Sequence, residues 1–234
     1  MSAFLRFCAR KVLPLIADIE VRGDISKLPR EGGYMLASNH LGRLDSLVIY
    51  YVLDNDDLIH PLTDKYKKYW YGRLAGRIFN VTWLTRGEAD MSAIKEFITR
   101  LKKGAVMVIA PEGTRSKAVS LLKAEPGAIY IASSAGAGIF PVALTGTEDA
   151  DVIKKLKSFK RLKITISTDG EIYTPPNIKA AKGAERDALL RDSIDELFCR
   201  IAALLPESYR GYYKDFPRTK EILENDLNRS RIAV

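Results

Sequence analysis

The chain has 234 residues, and its 37 Lys and Arg outnumber 29 Asp and Glu to give a formal net charge of +8. That length suffices for one sizeable core, while no run of about eighteen apolar residues offers a membrane-spanning helix. The positive balance favours anionic partners such as phospholipid surfaces, nucleotides or nucleic acid, and two distant cysteines, Cys8 and Cys199, exclude a disulfide framework and fit a reducing setting.

Over the first seventeen residues Phe4, Leu5, Cys8, Val12, Leu15 and Ile16 recur at helical spacing with Arg6, Arg10 and Lys11 among them, so an amphipathic helix is expected over 1–17. Pro14 interrupts its apolar segment and no convincing small-residue cleavage site follows, which keeps the segment in the mature protein. Its apolar side either lies in a membrane interface or covers the domain core. Short apolar strands then alternate with helices: strands over 33–38, 58–63, 105–110 and 139–144, helices over 46–53, 65–79, 90–103 and 126–135. That order predicts an α/β fold with a mixed, mostly parallel sheet flanked by helices. Residues 162–167 and 171–174 flank Thr168-Asp169-Gly170 and suggest a hairpin, stopped by Pro175-Pro176. Between 184 and 205, Leu189, Leu190, Ile194, Leu197, Phe198, Ile201 and Leu204 mark a long amphipathic helix, and the polar tail from Pro217 is helical or frayed. With no repeat, low-complexity tract or linker, residues 1–234 read as a single domain.

Two segments carry chemistry. The first is Ser38-Asn39-His40-Leu41-Gly42-Arg43-Leu44-Asp45-Ser46, directly after a strand and opening a helix, where side chains meet ligands at a sheet edge. On a continuous helix His40 and Asp45 would sit about 140° apart, so they meet only if a turn intervenes, and Gly42 offers it. A neutral imidazole takes a proton from an alcohol, and a carboxylate on its other nitrogen fixes the tautomer and stabilises the imidazolium. No Gly-x-Ser-x-Gly elbow is present, so direct attack by a substrate hydroxyl fits better than an acyl-enzyme. The second segment, Pro111-Glu112-Gly113-Thr114-Arg115-Ser116, closes the strongest strand; glycine permits close backbone approach and the guanidinium suits a phosphate. Arg86 follows the apolar Trp83-Leu84 as a second fixed cation, or as an ordinary surface arginine.

These blocks together resemble the glycerophospholipid acyltransferase family that includes bacterial 1-acylglycerol-3-phosphate acyltransferase. Asn39, His40 and Asp45 match its Asn-His-x4-Asp block, Arg86 its second block, residues 112–116 its Glu-Gly-Thr-Arg-Ser block, and Ile139-Phe140-Pro141-Val142 its apolar-Pro-Val block, in order. The resemblance implies catalysis by His40 and Asp45, with Lys65, Arg86, Glu112, Gly113, Thr114 and Arg115 binding substrate. It implies acyl-CoA or acyl-carrier protein as donor, lysophosphatidic acid or a related lysophospholipid as acceptor, and no cofactor or metal. It further implies a peripheral or monotopic place on the cytoplasmic face of a membrane, with a lipid surface and no nucleic acid as partner; the oligomeric state is not readable. Residues 122–127, Leu-Lys-Ala-Glu-Pro-Gly, depart from the family's Phe-Lys-x-Gly, and the Gly-x-Pro turn is altered near Thr168-Asp169-Gly170-Glu171, which bears on the acceptor.

Competing readings are an acyltransferase acting on another lipid or a sugar-lipid acceptor, a thioesterase in which the same pair activates water, and a basic protein that only binds anionic lipid. A nucleic-acid binder rests on charge alone. Neither a P-loop nor a dinucleotide fingerprint is present. His40 and His60 lie twenty apart without cysteine partners, which gives no zinc signature; His60, within an apolar strand, reads as a core or edge residue.

Overall fold

A computed structural model describes residues 2–29, 31–53, 57–78, 81–84 and 90–232. In chain order the elements are α1 (Ser2–Ile16), β1 (Ala17–Arg22), β2 (Tyr34–Ser38), α2 (Asp45–Val52), β3 (Leu58–Thr63), α3 (Trp70–Ile78), β4 (Val81–Leu84), α4 (Met91–Lys102), β5 (Val106–Ile109), α5 (Gly127–Ala135), β6 (Gly138–Thr145), α6 (Asp149–Lys157), β7 (Leu162–Ser167), α7 (Gly183–Leu204) and α8 (Pro217–Ile232). The strands form a seven-stranded sheet ordered β1-β7-β6-β2-β5-β3-β4. β6, β2, β5, β3 and β4 run parallel, whereas β7 meets β6 antiparallel and carries β1 parallel to itself. The expected α/β fold with a mixed, mostly parallel sheet is the observed one.

The central strands read as continuous apolar runs because helices cover both faces. Alternation sorts them: Met35, Ala37, Met107 and Ile139 face α4, α5 and α7, with Phe97, Ile129, Leu197 and Phe198 filling that layer. Leu36, Val106, Val108, Phe140 and Val142 face α1 and α2, against Leu13, Val48 and Ile49. α4 starts where Asp90 accepts the Ala93 N–H at 3.1 Å, a side-chain N-cap.

Two expectations need correction. Residues 162–174 make no hairpin. Thr168 donates to Arg22 O at 3.0 Å, continuing the β1 ladder, and Tyr173 instead exchanges backbone bonds with Ile139, 2.8 Å each way. Glycine at 170 (φ +75°) turns the chain away from β7, not back along it. The helix expected over 65–79 begins as a 3₁₀ turn, Asp64–Tyr66, and becomes α-helical only at Trp70. The N-terminal helix packs Ala9 and Leu13 inward and leaves Val12 and Leu15 exposed.

Parallel strands share one direction, so the segments leaving β6, β2, β5, β3 and β4 all emerge at one edge of the sheet. β1 and β7 run the other way and begin at that edge.

Candidate active site

The site starts with the loop from β2 to α2. Asn39 is buried, donates through Nδ2 to Leu144 O at 2.9 Å and accepts Leu144 N–H at 2.8 Å. That reciprocal pair fastens the loop to β6. Five residues after His40, α2 opens at Asp45, whose Oδ2 lies 2.7 Å from His40 Nδ1 and also accepts the N–H groups of Leu41 (2.8 Å) and Gly42 (3.1 Å). One carboxylate oxygen therefore gathers the ring and the intervening backbone, and the helix N-terminus favours its charge. Because Nδ1 must donate to an oxygen already taking two N–H groups, the imidazole lone pair is left on Nε2. Asp45 is buried while the His40 side chain keeps 31% of its exposure, so the ring opens to solvent on one side.

Glu112, at the end of β5, holds this loop from below. Its Oε1 accepts the backbone N–H of His40 at 2.9 Å and its Oε2 that of Leu122 at 2.8 Å. Ser116 returns a backbone bond to His40 O at 3.0 Å. Burial pushes the Glu112 carboxyl up to about 7, against the opposing pull of the two N–H groups and of His40. The carboxylate thus positions the backbone of the His40 loop and makes no bond to the imidazole itself.

Gly113 (φ +66°) and Thr114 are exposed at the same corner. Arg115 is half-buried and its Nη1 ion-pairs with Asp149 Oδ2 at the start of α6, while Asp149 Oδ1 accepts the Arg43 N–H at 2.9 Å. Gly42 lies so close beneath Thr147 that a Cβ would come within 1.9 Å of its carbonyl oxygen. Glycine is needed here for backbone approach; Asp45 N bonds Gly42 O weakly at 3.4 Å, closing the turn.

Lys65 is exposed on the 3₁₀ turn after β3, its Nζ 4.9 Å from the Tyr66 ring centroid. β3 is separated from β2 by β5, about 10 Å between strand axes, so Lys65 shares the edge with His40 without being gathered to it. Arg86 lies outside the described residues; β4 ends at Leu84 on that edge. His60 is buried in β3 and stacks on Tyr50 at 5.1 Å, and burial drives its imidazole down to about 4, neutral.

Sequence reasoning passed over Asp149 and the C-terminal brace of residues 117–125. Leu121 donates to Tyr209 O at 2.9 Å, Tyr213 Oη receives Ala124 N–H at 3.1 Å, and Leu122, within that segment, reaches Glu112. The only local hint for Asp149 was an acidic residue in the first turn after the apolar β6 run.

A sequence model of the family described as Acyltransferase matches residues 18–145, over half of the chain, and the matched stretch holds the paired His40 and Asp45 together with Arg115. The chain belongs to that family. It is 31% identical over 186 residues to the 1-acyl-sn-glycerol-3-phosphate acyltransferase alpha of Mus musculus, covering 74% of this chain and 62% of that protein. The alignment thus spans under two thirds of the mouse protein's length. In fold it is similar to the crystal structure of the 1-acyl-sn-glycerophosphate (LPA) acyltransferase PlsC from Thermotoga maritima, with TM-score 0.57, 20% identity, and 84% of this chain and 79% of that one covered.

Proposed function

We propose that this chain transfers a fatty acyl group from acyl-CoA or acyl-carrier protein to a hydroxyl of lysophosphatidic acid or a related lysophospholipid, in phospholipid synthesis. The observation that carries it is the 2.7 Å contact between His40 Nδ1 and Asp45 Oδ2, which leaves Nε2 as the base. The acceptor O–H gives its proton to Nε2 as its oxygen attacks the thioester carbonyl. Asp45 stabilises the imidazolium that forms. Collapse of the tetrahedral intermediate breaks the C–S bond, and the proton on Nε2 passes to the leaving thiolate. The donor is already activated as a thioester, so the reading calls for no metal or cofactor.

Arg115, Lys65 and Arg86 are the cations assigned to the acceptor phosphate, with Glu112, Gly113 and Thr114 shaping the ground beneath it. Arg115 exchanges its Asp149 carboxylate for phosphate when the acceptor binds, one charge-assisted contact for another. The amphipathic helix over 1–17 and the net charge of +8 support a peripheral or monotopic position on the cytoplasmic face of a membrane; no described helix is long and apolar enough to cross one.

The test is incubation of the purified protein with acyl-CoA or acyl-carrier protein and a panel of lysophospholipid acceptors, with products identified by mass spectrometry. Acylated acceptor is expected from the wild type and none above background from His40→Ala, a loss of roughly a thousandfold or more. Free fatty acid without acylated acceptor would replace this reading with a hydrolase.

A further inference from the structure

α6 and the turn that follows it make an outward-facing structure that the catalytic chemistry leaves unused. Only Val152 of α6 is fully turned to the core; Ile153 and Leu156 are exposed at 47% and 42%. Spacing puts Ile153, Leu156 and Lys157 along one outer face, and Lys160 follows in the turn beyond the helix. At the helix end Phe159 donates to Leu156 O at 3.2 Å and Lys160 to Lys155 O at 2.9 Å, the paired bonds of a Schellman turn. The left-handed position of that turn belongs by preference to glycine. Here it is occupied by Phe159, at φ +51° and 100% exposed. A large aromatic side chain thus stands in a disfavoured backbone conformation and gains no packing in return.

The surroundings are built to hold it there. Arg161 Nε bonds Asp18 Oδ1 (2.8 Å), and its two Nη groups bond the carbonyls of Leu15 (2.9 Å), Pro14 (2.8 Å) and Ala17 (2.8 Å). One guanidinium therefore fastens the α6–β7 turn to the α1–β1 junction, where Leu15 is 73% exposed. The register agrees: Ala17 is the neighbour of Leu162 across β1 and β7. Both junctions lie at the edge from which the His40 loop emerges. Lys11, Lys154, Lys157 and Lys160 are exposed around them, whereas the nearby acids Asp18, Asp151 and Asp149 are each ion-paired.

We propose that Phe159 and Leu15, with Ile153 and Leu156 beside them and the lysines around them, form a docking surface for an anionic lipid bilayer. Phe159 enters the acyl boundary and the lysines meet the headgroup phosphates, as interfacial elements of this composition do. α6 then joins membrane to chemistry, since Asp149 at its other end holds Arg43 and Arg115. The site goes beyond an N-terminal amphipathic anchor: it names a second element, on the catalytic edge, and it rests on reading the chain as an enzyme of lipid substrates.

The experiment uses the full chain and sucrose-loaded vesicles of phosphatidylcholine with phosphatidylglycerol, or of phosphatidylcholine alone. Phe159→Gly suits the φ of its site, so its thermal midpoint should match or exceed that of the wild type, while its partition onto the mixed vesicles falls on the order of tenfold. Phe159→Trp should gain a blue-shifted emission component, relative to wild type, when those vesicles are added. Lys157→Glu with Lys160→Glu should abolish the preference for the anionic mixture. Wild-type partition of Phe159→Gly, or an unshifted Phe159→Trp on bound vesicles, overturns the proposal. So does unchanged vesicle binding combined with lost turnover of an acyl-carrier-protein donor, which would give the patch to an acidic protein. Acyl transfer to a short-chain, water-soluble acceptor, measured in parallel, reports on the enzymatic reading by itself.

Discussion

The loop 39–45 and the segment after β3 leave the same sheet edge, yet they are held very differently. The loop is fastened on three sides: by Asn39 to β6, by Glu112 and Ser116 to the end of β5, and by Asp149 to α6. After β3, Lys65 rides on a 3₁₀ turn with its ammonium in solvent above Tyr66, and Tyr69 and Trp70 follow at 41% and 70% exposure. Proton transfer demands heavy atoms within about 3 Å and a fixed tautomer, and only a backbone specified bond by bond delivers that. A phosphate is met by long cations acting as point charges, which tolerate looser placement. On the proposed function, the chemistry is prebuilt and acceptor recognition is completed by the acceptor.

The largest effect that could break this contrast is at Asp45. Asp45→Asn leaves an amide where one carboxylate oxygen takes three N–H donors, so the ring loses its tautomer and the loop loses its knot. Turnover should fall on the order of a thousandfold with the far-UV spectrum kept. Turnover within threefold of wild type, measured as kcat at saturating acceptor, would mean that the knot is structural only.

Next comes Glu112, which sharpens the contrast by showing what the prebuilt geometry costs. Its carboxyl, near 4.5 when unfolded, sits at about 7 in the fold, so between those values the native state binds the extra proton. Stability carried by protonated Glu112 is complete below about 4.5 and is lost as pH rises through about 7, on the order of 3 kcal/mol. Both oxygens accept backbone N–H groups, however, so the ionised form is the one that holds His40 in place. Glu112→Gln should remove that slope from urea unfolding measured between pH 5 and 8, and lower kcat roughly ten- to a hundredfold at pH 8. A mutant whose stability still falls across that range points to another group.

Arg115 stands between the two regions: it is already bonded, but to Asp149. Arg115→Ala should raise the acceptor KM by the equivalent of about 1.5–3 kcal/mol with the donor KM unchanged. A change confined to the donor would reassign this arginine.

How much of this was readable follows the same division. The 39–45 and 112–116 segments were legible because chemistry restricts residue type and spacing, and α4, α5 and α7 because a helix against a sheet must repeat its apolar residues. β1 escaped notice although Ala17, Ile19 and Val21 alternate, since the preceding helical pattern ran into Ala17. α6 was invisible for a physical reason: with Val152 alone fully buried and Ile153 and Leu156 turned outward, it has no core-facing stripe. The false hairpin at 162–174 had sound turn residues, but β7 finds its partners in β1 and β6, over a hundred residues and about twenty residues away in sequence, and local turn chemistry carries no information about such pairings. Asp149 was missed with its helix.

The smallest expected effect belongs to Lys65 and probes the looser region directly. An exposed ammonium on the turn after β3, two strands from β2, contributes through a screened attraction of about 1 kcal/mol or less. Lys65→Ala should therefore raise the acceptor KM severalfold and leave kcat alone, because the interaction is equally present before and during acyl transfer. Initial rates at varied acceptor, repeated in low and high salt, check this. Ionic strength near 1 M shrinks the screening length to about 3 Å, and the wild-type and mutant KM values should then converge. If kcat falls instead by the same factor as kcat/KM, Lys65 contributes only in the transition state. That requires an ammonium placed as closely as the His40 ring, and the β3 segment would then close over the bound acceptor into a geometry as strict as that of the loop.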